Sequence, residues 1–338
     1  VSIVVPVRHD GGTLRACLES LRRLDPPARD VVVAVDGGDA DVAAIARECG
    51  ARAVLLAEHR GPAAARNAGV RETTGDLIFF VDADVTVPPD TIARVLAAFA
   101  AHPDVDAVLG SYDDRPASTN FFSQYKNLAH HFVHQTSRED ACTFWGACGA
   151  VRRSCFDRVG GFDERFVRPS IEDIELGSRL QAAGCRLRLE RTIQVTHLKR
   201  WTFFRLMQCE IRDRAVPWTR LILRNHRMPD DLNLRWRTRV AVACAALLAA
   251  TIVIAPWRPW SLALSAALAV LLLLLDRPLL AFFHARRGPG FAARAIVAHW
   301  AHYLCSATGF VIGALAHVAG VRDRAVVTAA LEKGTGRA

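Results

Sequence analysis

Leu77-Ile78-Phe79-Phe80-Val81-Asp82-Ala83-Asp84 decides how the rest of the chain is read. Five apolar residues run without a break into two carboxylates one residue apart. A short apolar run of this kind reads as a strand buried on both faces of a parallel sheet. The carboxylates then stand at its C-terminal end, where open α/β sheets bind their ligands. Two hard oxygen donors there suit Mg2+ or Mn2+, which one or two carboxylates hold together with substrate phosphates. A solvated acidic turn is the plain alternative, and the neighbouring stretches decide between the two.

Upstream, Ser2-Ile3-Val4-Val5-Pro6-Val7 reads as a first buried strand. Leu14, Cys17, Leu18 and Leu21 then repeat at helical spacing behind Thr13, the expected N-cap. Val31-Val32-Val33-Ala34-Val35 is a second strand, closing on Asp36-Gly37-Gly38-Asp39. A helix over about 40–49 and a short strand over about 53–57 follow. Pro62, in Gly61-Pro62-Ala63-Ala64-Ala65-Arg66-Asn67-Ala68-Gly69, suits the first position of another helix. Downstream, Pro88, Pro89 and Asp90 open a helix with Ile92, Val95, Leu96 and Phe99 on one face. This β-α-β-α alternation predicts a doubly wound, mostly parallel sheet.

The second half of this region is less regular. Residues 120–136 read as a helix carrying His130, His131 and His134. A metal site there lacks the HExxH pattern or a cysteine pair, so a polar or acceptor-side face is preferred. Phe144 to Ala150 is a turn and strand of small residues. Gly160-Gly161-Phe162-Asp163-Glu164 is another turn, and Glu172-Asp173-Ile174-Glu175-Leu176 starts a helix. Early carboxylates also favour a helix N-terminus for purely structural reasons.

From about Arg239 the chain becomes apolar enough for lipid. Segments near 240–255 and 260–275 fall slightly short of the ~20 residues that a spanning helix needs. A third, near 292–320, is open to spanning, re-entry or lying along the surface. Before them, residues 202–227 mix aromatics with arginines, as a helix pair in a membrane interface does. Arg235, Arg237 and Arg239 precede the first segment, and Arg277, Arg286 and Arg287 follow the second. The positive-inside rule then puts the N-terminal half in the cytoplasm. The expected divisions are 1–200, a 201–238 arm, 239–320 membrane segments and a 321–338 tail, with disorder expected after Lys333.

Lys and Arg outnumber Asp and Glu by 43 to 34, for a net charge of +9. No basic block interleaved with aromatics resembles a nucleic-acid module, so no nucleic-acid partner is expected. The nine cysteines are scattered without CxxC spacing and read as reduced thiols of a cytoplasmic domain. No stretch reads as a signal peptide, and the chain opens inside a strand, which leaves room for a short piece ahead of Val1. Arg8-His9-Asp10-Gly11-Gly12 after the first strand is not a GxGxxG, which argues against a dinucleotide-binding redox enzyme.

Taken together, Ser2-Ile3-Val4-Val5-Pro6, Val35-Asp36-Gly37-Gly38-Asp39, Gly61 to Gly69, Asp82-Ala83-Asp84, Gly160 to Glu164 and Glu172 to Leu176 resemble the inverting family 2 glycosyltransferases. They occur in that family's order over about residues 1–200. The resemblance implies a GT-A fold, which the composition after it extends with amphipathic interfacial helices and two to three transmembrane helices. It implies a nucleotide-diphospho-sugar donor, UDP-linked, and Mn2+ or Mg2+. By position, Pro6, Asp36, Arg66, Asn67 and Asp82 fall where the family contacts the nucleotide. Asp82 and Asp84 resemble its metal-binding Asp-x-Asp, with His197 a further contact. Asp173 resembles the catalytic base, with Glu172 beside it. Arg200-Trp201 is similar to the Gln-x-x-Arg-Trp of processive synthases, although His197 replaces the Gln. The implied acceptor is a lipid or lipid-linked glycan at the cytoplasmic membrane. A processive polysaccharide synthase and a non-catalytic sugar-nucleotide-binding scaffold are the alternatives.

Overall fold

The structure, a computed structural model, describes residues 1–321; the tail expected beyond Val321 lies outside the described residues. The chain divides into two compact units. One is Val1–Thr202 with Asp231–Asn233; the other is Phe203–Asp230 with the chain from Leu234 on.

The first unit alternates as the sequence predicts: β1 (Ser2–Val7), α1 (Leu14–Arg22), β2 (Asp30–Val35), α2 (Ala40–Glu48), β3 (Arg52–Leu55), α3 (Pro62–Arg71), β4 (Leu77–Val81). These strands are parallel, in the order β3-β2-β1-β4. The chain therefore winds outward from β1 in both directions, and the crevice between β1 and β4 is the topological switch point. Leu14, Cys17, Leu18 and Leu21 are all buried. Thr13 makes no side-chain cap; Asp10 Oδ1 instead accepts from the N–H groups of Gly12, Thr13 and Leu14. The expected cap is thus corrected to a residue three positions earlier, whose carboxylate closes the turn ahead of α1 and satisfies the orphan Leu14 N–H.

Beyond β4 the sheet changes character. The elements are β5 (Val85–Thr86), α4 (Thr91–Ala101), β6 (Ala107–Tyr112), α5 (Phe121–Thr136), β7 (Asp140–Ala141), β8 (Cys148–Arg152), α6 (Arg153–Arg158), α7 (Glu172–Ala182) and β9 (Leu187–His197). β8 inserts antiparallel between β4 and β6, and β9 runs parallel to β6. The doubly wound α/β sheet is therefore parallel in its first half and mixed in its second. Phe79 and Val81 face one apolar core and Ile78 and Phe80 the other, as period-2 alternation requires of a strand covered on both faces.

In the second unit, residues Phe203–Asn225 form one continuous helix rather than the expected pair. It comprises α8 (Phe203–Gln208), a π-helical stretch (Cys209–Ala215) and α9 (Val216–Asn225). The wider π turn lets the backbone run up to Pro217, whose missing N–H would interrupt an ordinary α ladder. Three long apolar helices follow: α10 (Trp236–Ile254), α11 (Ser261–Arg287) and α12 (Pro289–Val318). Each is long and apolar enough to cross a membrane. α10 and α11 meet along small and polar residues: Ser265 Oγ donates to Thr251 Oγ1 at 2.8 Å and Ser261 Oγ to the Thr251 carbonyl at 2.9 Å. Small residues that allow close backbone approach, with hydroxyls bonded across, suit helix pairs in lipid.

Candidate active site

Four strand ends and one helix start converge on the edge beyond β1 and β4. Pro6 sits in β1 opposite Ala34, past Val4, where the β1–β4 pairing stops. Its missing N–H therefore costs no ladder bond on the β4 side, and the strands part there. Asp36 ends β2. It is buried, and its carboxylate accepts from the backbone N–H of Arg60 (2.7 Å) and Gly61 (3.0 Å) and from His59 Nδ1 (2.6 Å). It therefore holds the loop that opens α3. Gly61 needs its φ of +91° there, and a Cβ on it would stand 2.5 Å from the Val167 backbone.

Arg66 projects from α3 into the centre of the site and is almost fully buried. One arm donates to Asp82 Oδ1 and the other to Glu172 Oε1, each at 2.8 Å. The guanidinium lies under Gly146, where a Cβ would come within 3.2 Å of it, and over the Phe162 ring at 5.3 Å. Burial works to lower its pKa, but the charges of Asp82, Glu172 and Asp173 outweigh it and raise it, so the cation is permanent. Its Nε is buried with no hydrogen-bond partner among the described residues. Asn67, the next residue, uses both ends of its amide on the Gly160–Glu164 turn: Oδ1 accepts from Phe162 N–H, and Nδ2 donates to the Phe162 carbonyl and to Glu164.

Asp82 and Asp84 occupy the tight turn after β4. Burial raises the pKa of Asp82 above the ordinary range, against the pull of Arg66. Burial acts upward on Asp84 too, but His197 and the charge of Lys199 outweigh it and its pKa is lowered. His197 reaches this turn because β9 pairs antiparallel with β5, with His197 opposite Val85. Its Nε2 lies 3.6 Å from Asp84 Oδ2, and its ring stacks on Tyr112 with centroids 4.3 Å apart. The Asp82 and Asp84 carboxylates and the His197 imidazole are donor types that Mn2+ and Mg2+ accept, although Asp82 is engaged by Arg66 and, among the described residues, their ligand atoms do not form one compact cluster.

Glu172 and Asp173 open α7 but differ in surroundings. Glu172 is buried, paired with Arg66, and accepts from the Ser170 N–H at 2.8 Å. Asp173 is half-buried, and accepts from the Gly146 N–H at 3.0 Å and the Ile174 N–H at 2.8 Å. Gly177 makes this possible: a Cβ on it would lie 2.3 Å from the Phe144 N, so α7 can dock closely on the Thr143–Gly146 turn.

Arg200 is exposed. Trp201 is buried: its N–H donates to Ser123 Oγ, its carbonyl accepts from Asn120 Nδ2, and Lys199 covers its ring at 4.5 Å. It fastens the start of α5. His131 Nδ1 donates to the Tyr112 carbonyl (2.7 Å) and His134 Nδ1 to the Gly110 carbonyl (2.9 Å), which ties α5 to β6. Sequence reasoning missed Tyr112, Trp145 and His130 as a group. Their rings pack with centroids 4.6–4.8 Å apart and border His197. No local pattern could have found them, because they come from β6, a loop and α5. His59, the partner of Asp36, was likewise unmarked.

Residues 2–160 match the family model described as glycosyl transferase family 2. The pre-mycofactocin glycosyltransferase of Mycobacterium tuberculosis is 32% identical over 207 residues, covering 58% of this chain and 42% of that protein. The validoxylamine A glucosyltransferase of Streptomyces hygroscopicus subsp. jinggangensis is 29% identical over 225 residues, covering 56% and 53%. The chain thus spans about half the length, or less, of these curated relatives. Among solved structures, a mannosyltransferase from Pyrobaculum calidifontis, in complex with GDP-Man and Mn2+, aligns with a TM-score of 0.57. That alignment is 18% identical and covers 95% of this chain and 87% of that one. Residues 2–160, a little under half of the chain, thus match glycosyltransferase family 2; the fold around them is GT-A-like, and three long apolar helices follow it.

Proposed function

We propose that the chain is a membrane-anchored, inverting glycosyltransferase that moves one hexose from a nucleotide-diphospho donor to an acceptor held at the cytoplasmic membrane face. The observation that carries the reading is the split between neighbouring carboxylates at the start of α7. Glu172 is locked to Arg66, while Asp173 is fixed by two backbone N–H groups at the edge beyond Asp82 and Asp84. A base must be held in place yet remain reachable, and Asp173 meets both conditions.

In this reading the acceptor hydroxyl attacks the anomeric carbon as the bond from that carbon to the diphosphate oxygen breaks, with inversion. Asp173 takes the hydroxyl proton on a carboxylate oxygen. Arg66 keeps Asp82 and Glu172 in place by charge and hydrogen bonds, and the Asp36–His59 contact holds the loop that lines the nucleotide side. Asp82, Asp84 and His197 would hold Mn2+ or Mg2+, which would supply positive charge against the leaving diphosphate. The family resemblance supports a UDP-sugar, and the glucosyltransferase relative supports a hexose. The solved neighbour holds GDP-Man and Mn2+, so guanosine donors belong in the same trial. The apolar helices support a lipid or lipid-linked glycan as acceptor.

The test is a screen of UDP- and GDP-sugars for Mn2+-dependent transfer to membrane lipid extract, repeated with Asp173→Asn. Transfer by the parent chain and a fall of about 100-fold or more in the variant are expected. Full activity in the variant would remove Asp173 as base and point to an acceptor that is already anionic. No transfer or hydrolysis with any donor would favour the scaffold reading.

A further inference from the structure

We infer that α12 does not cross the bilayer but lies in the membrane interface beside the Phe203–Asn225 arm, so that the α10–α11 hairpin alone spans. The inference rests on the membrane-anchor reading above and goes beyond it by assigning which apolar helix crosses.

The argument begins with what α12 touches. Its second half runs alongside the arm. His302 Nδ1 lies 3.4 Å from Glu210 Oε2, and Cys305 Sγ lies 3.4 Å from Met207 Sδ. A Cβ on Gly309 would fall 2.3 Å from Ala215 Cβ, and one on Gly313 would fall 2.8 Å from Thr219 Cβ. Arg220 donates to the Val321 carbonyl. Two glycines four apart thus bring α12 into backbone contact with the arm, and the pair shares one depth from residue 302 to residue 321.

That depth cannot be the hydrocarbon core. The arm carries Arg205, Glu210, Arg212, Asp213, Arg214, Arg220 and Arg224. A charged residue at the centre of a spanning helix is strongly disfavoured, and the arm has one on nearly every turn. The arm therefore belongs at the headgroups, and the half of α12 packed along it does too.

The first half of α12 is held at the basic end of the hairpin. Phe291 packs on Phe283 with centroids 5.6 Å apart, and the Tyr303 hydroxyl donates to Asp276 Oδ1 at 2.7 Å. These α11 partners lie on the same side as Arg277, Arg286 and Arg287. The far end of α11 pairs instead with α10, through Ser261, Ser265 and Thr251. Composition agrees: the most apolar 18-residue stretch of α12 has a mean hydropathy of 1.3, against 1.8 for that of α10 and 2.1 for that of α11. The sequence after α12 supplies an independent argument. Arg322 and Arg324 follow it directly. Two spans leave them on the face that holds Arg235, Arg237, Arg239, Arg286 and Arg287; three spans would carry them across, against the positive-inside rule. The partner of the exposed apolar residues Phe310, Val311, Leu315 and Val318 is then the acyl boundary of an anionic leaflet, with the arm's arginines at the headgroups.

Alkaline phosphatase, active only outside, and green fluorescent protein, bright only inside, are fused to the full chain. One site is the α10–α11 loop (255–260); the other follows Ala338. The expected result in a bacterial inner membrane is an active phosphatase in the loop and a bright fluorophore at the C-terminus. Protease added to inside-out vesicles should also remove a C-terminal epitope tag from the otherwise unaltered chain. A protected tag, or an active phosphatase after Ala338 with the loop also outside, would overturn the inference and leave the anchor with three spans. A loop fusion that reports the inside would remove the hairpin itself and the membrane-anchor reading with it.

Discussion

The two halves of the sheet build the same edge by different means. In β3-β2-β1-β4 each strand is parallel to its neighbour, and two of them deliver acids just past their C-terminal ends: Asp36 after β2, Asp82 and Asp84 after β4. In the other half, β8, β6 and β9 arrive out of sequence order, and the contributing groups come from their connections: Gly146 from the turn before β8, His197 from the last residue of β9, Asp173 from the helix before it. The parallel half places charge by strand polarity alone. The mixed half places it by register, so its contribution depends on contacts between distant segments. Arg66 joins the two through Asp82 on one side and Glu172 on the other.

Breaking that joint has the largest expected effect on stability. Arg66→Met leaves Asp82 and Glu172 as uncompensated acids, and removing one partner of a buried pair costs about 3–5 kcal/mol. A large drop in the thermal midpoint of detergent-solubilised protein is expected; an unchanged midpoint would mean that the halves do not depend on the joint. Within the parallel half, Asp84→Asn should reduce metal-dependent turnover by about 100-fold or more with the fold intact, as judged by circular dichroism. Undiminished turnover would return the Asp-x-Asp to an ordinary acidic turn.

Acid should act chiefly on the mixed half. His134 is fully buried, and burial pushes its pKa down to about 4. The unfolded chain takes up that proton below roughly pH 6.5 while the folded chain does not. Stability is therefore lost as pH falls from 6.5 toward 4, by up to about 3 kcal/mol. Urea midpoints across that range check it, and His134→Gln, which keeps a donor for the Gly110 carbonyl, should flatten the dependence. A smaller effect is expected at His197. His197→Ala should weaken Mn2+ affinity by about 10-fold, read as a shift in the metal concentration for half-maximal turnover. The smallest is Trp201→Phe. The Trp201 Nε1 is buried without a partner among the described residues, so losing it should cost about 1 kcal/mol or less, and no activity. A large activity loss there would instead support a direct role in acceptor binding.

Much of the first half was legible because its signals are local. An apolar run of five or six residues, a capped helix and an acid at a strand end each occupy one stretch of chain. The same holds for the apolar helices, although the arm proved to be one helix through a π turn rather than two. The second half was legible only as motifs. In the sequence only the family resemblance set Asp173 apart from Glu172 beside it. Their surroundings separate because a helix start turns adjacent side chains about 100° apart, one toward Arg66 and the other toward Gly146. Trp201, singled out in the sequence by its Arg-Trp motif, is packed against α5.

By itself, the amino-acid sequence determined the alternation of strands and helices, the carboxylates at the sheet edge and the apolar segments after residue 239. Each of these follows from periodicity or polarity along the chain. Only the tertiary structure decided that Arg66 bridges Asp82 and Glu172, that His197 meets Asp84, and that α12 pairs with a charged arm as well as with α11. Those contacts depend on β-register and on where glycines let backbones approach, which no stretch of sequence encodes alone.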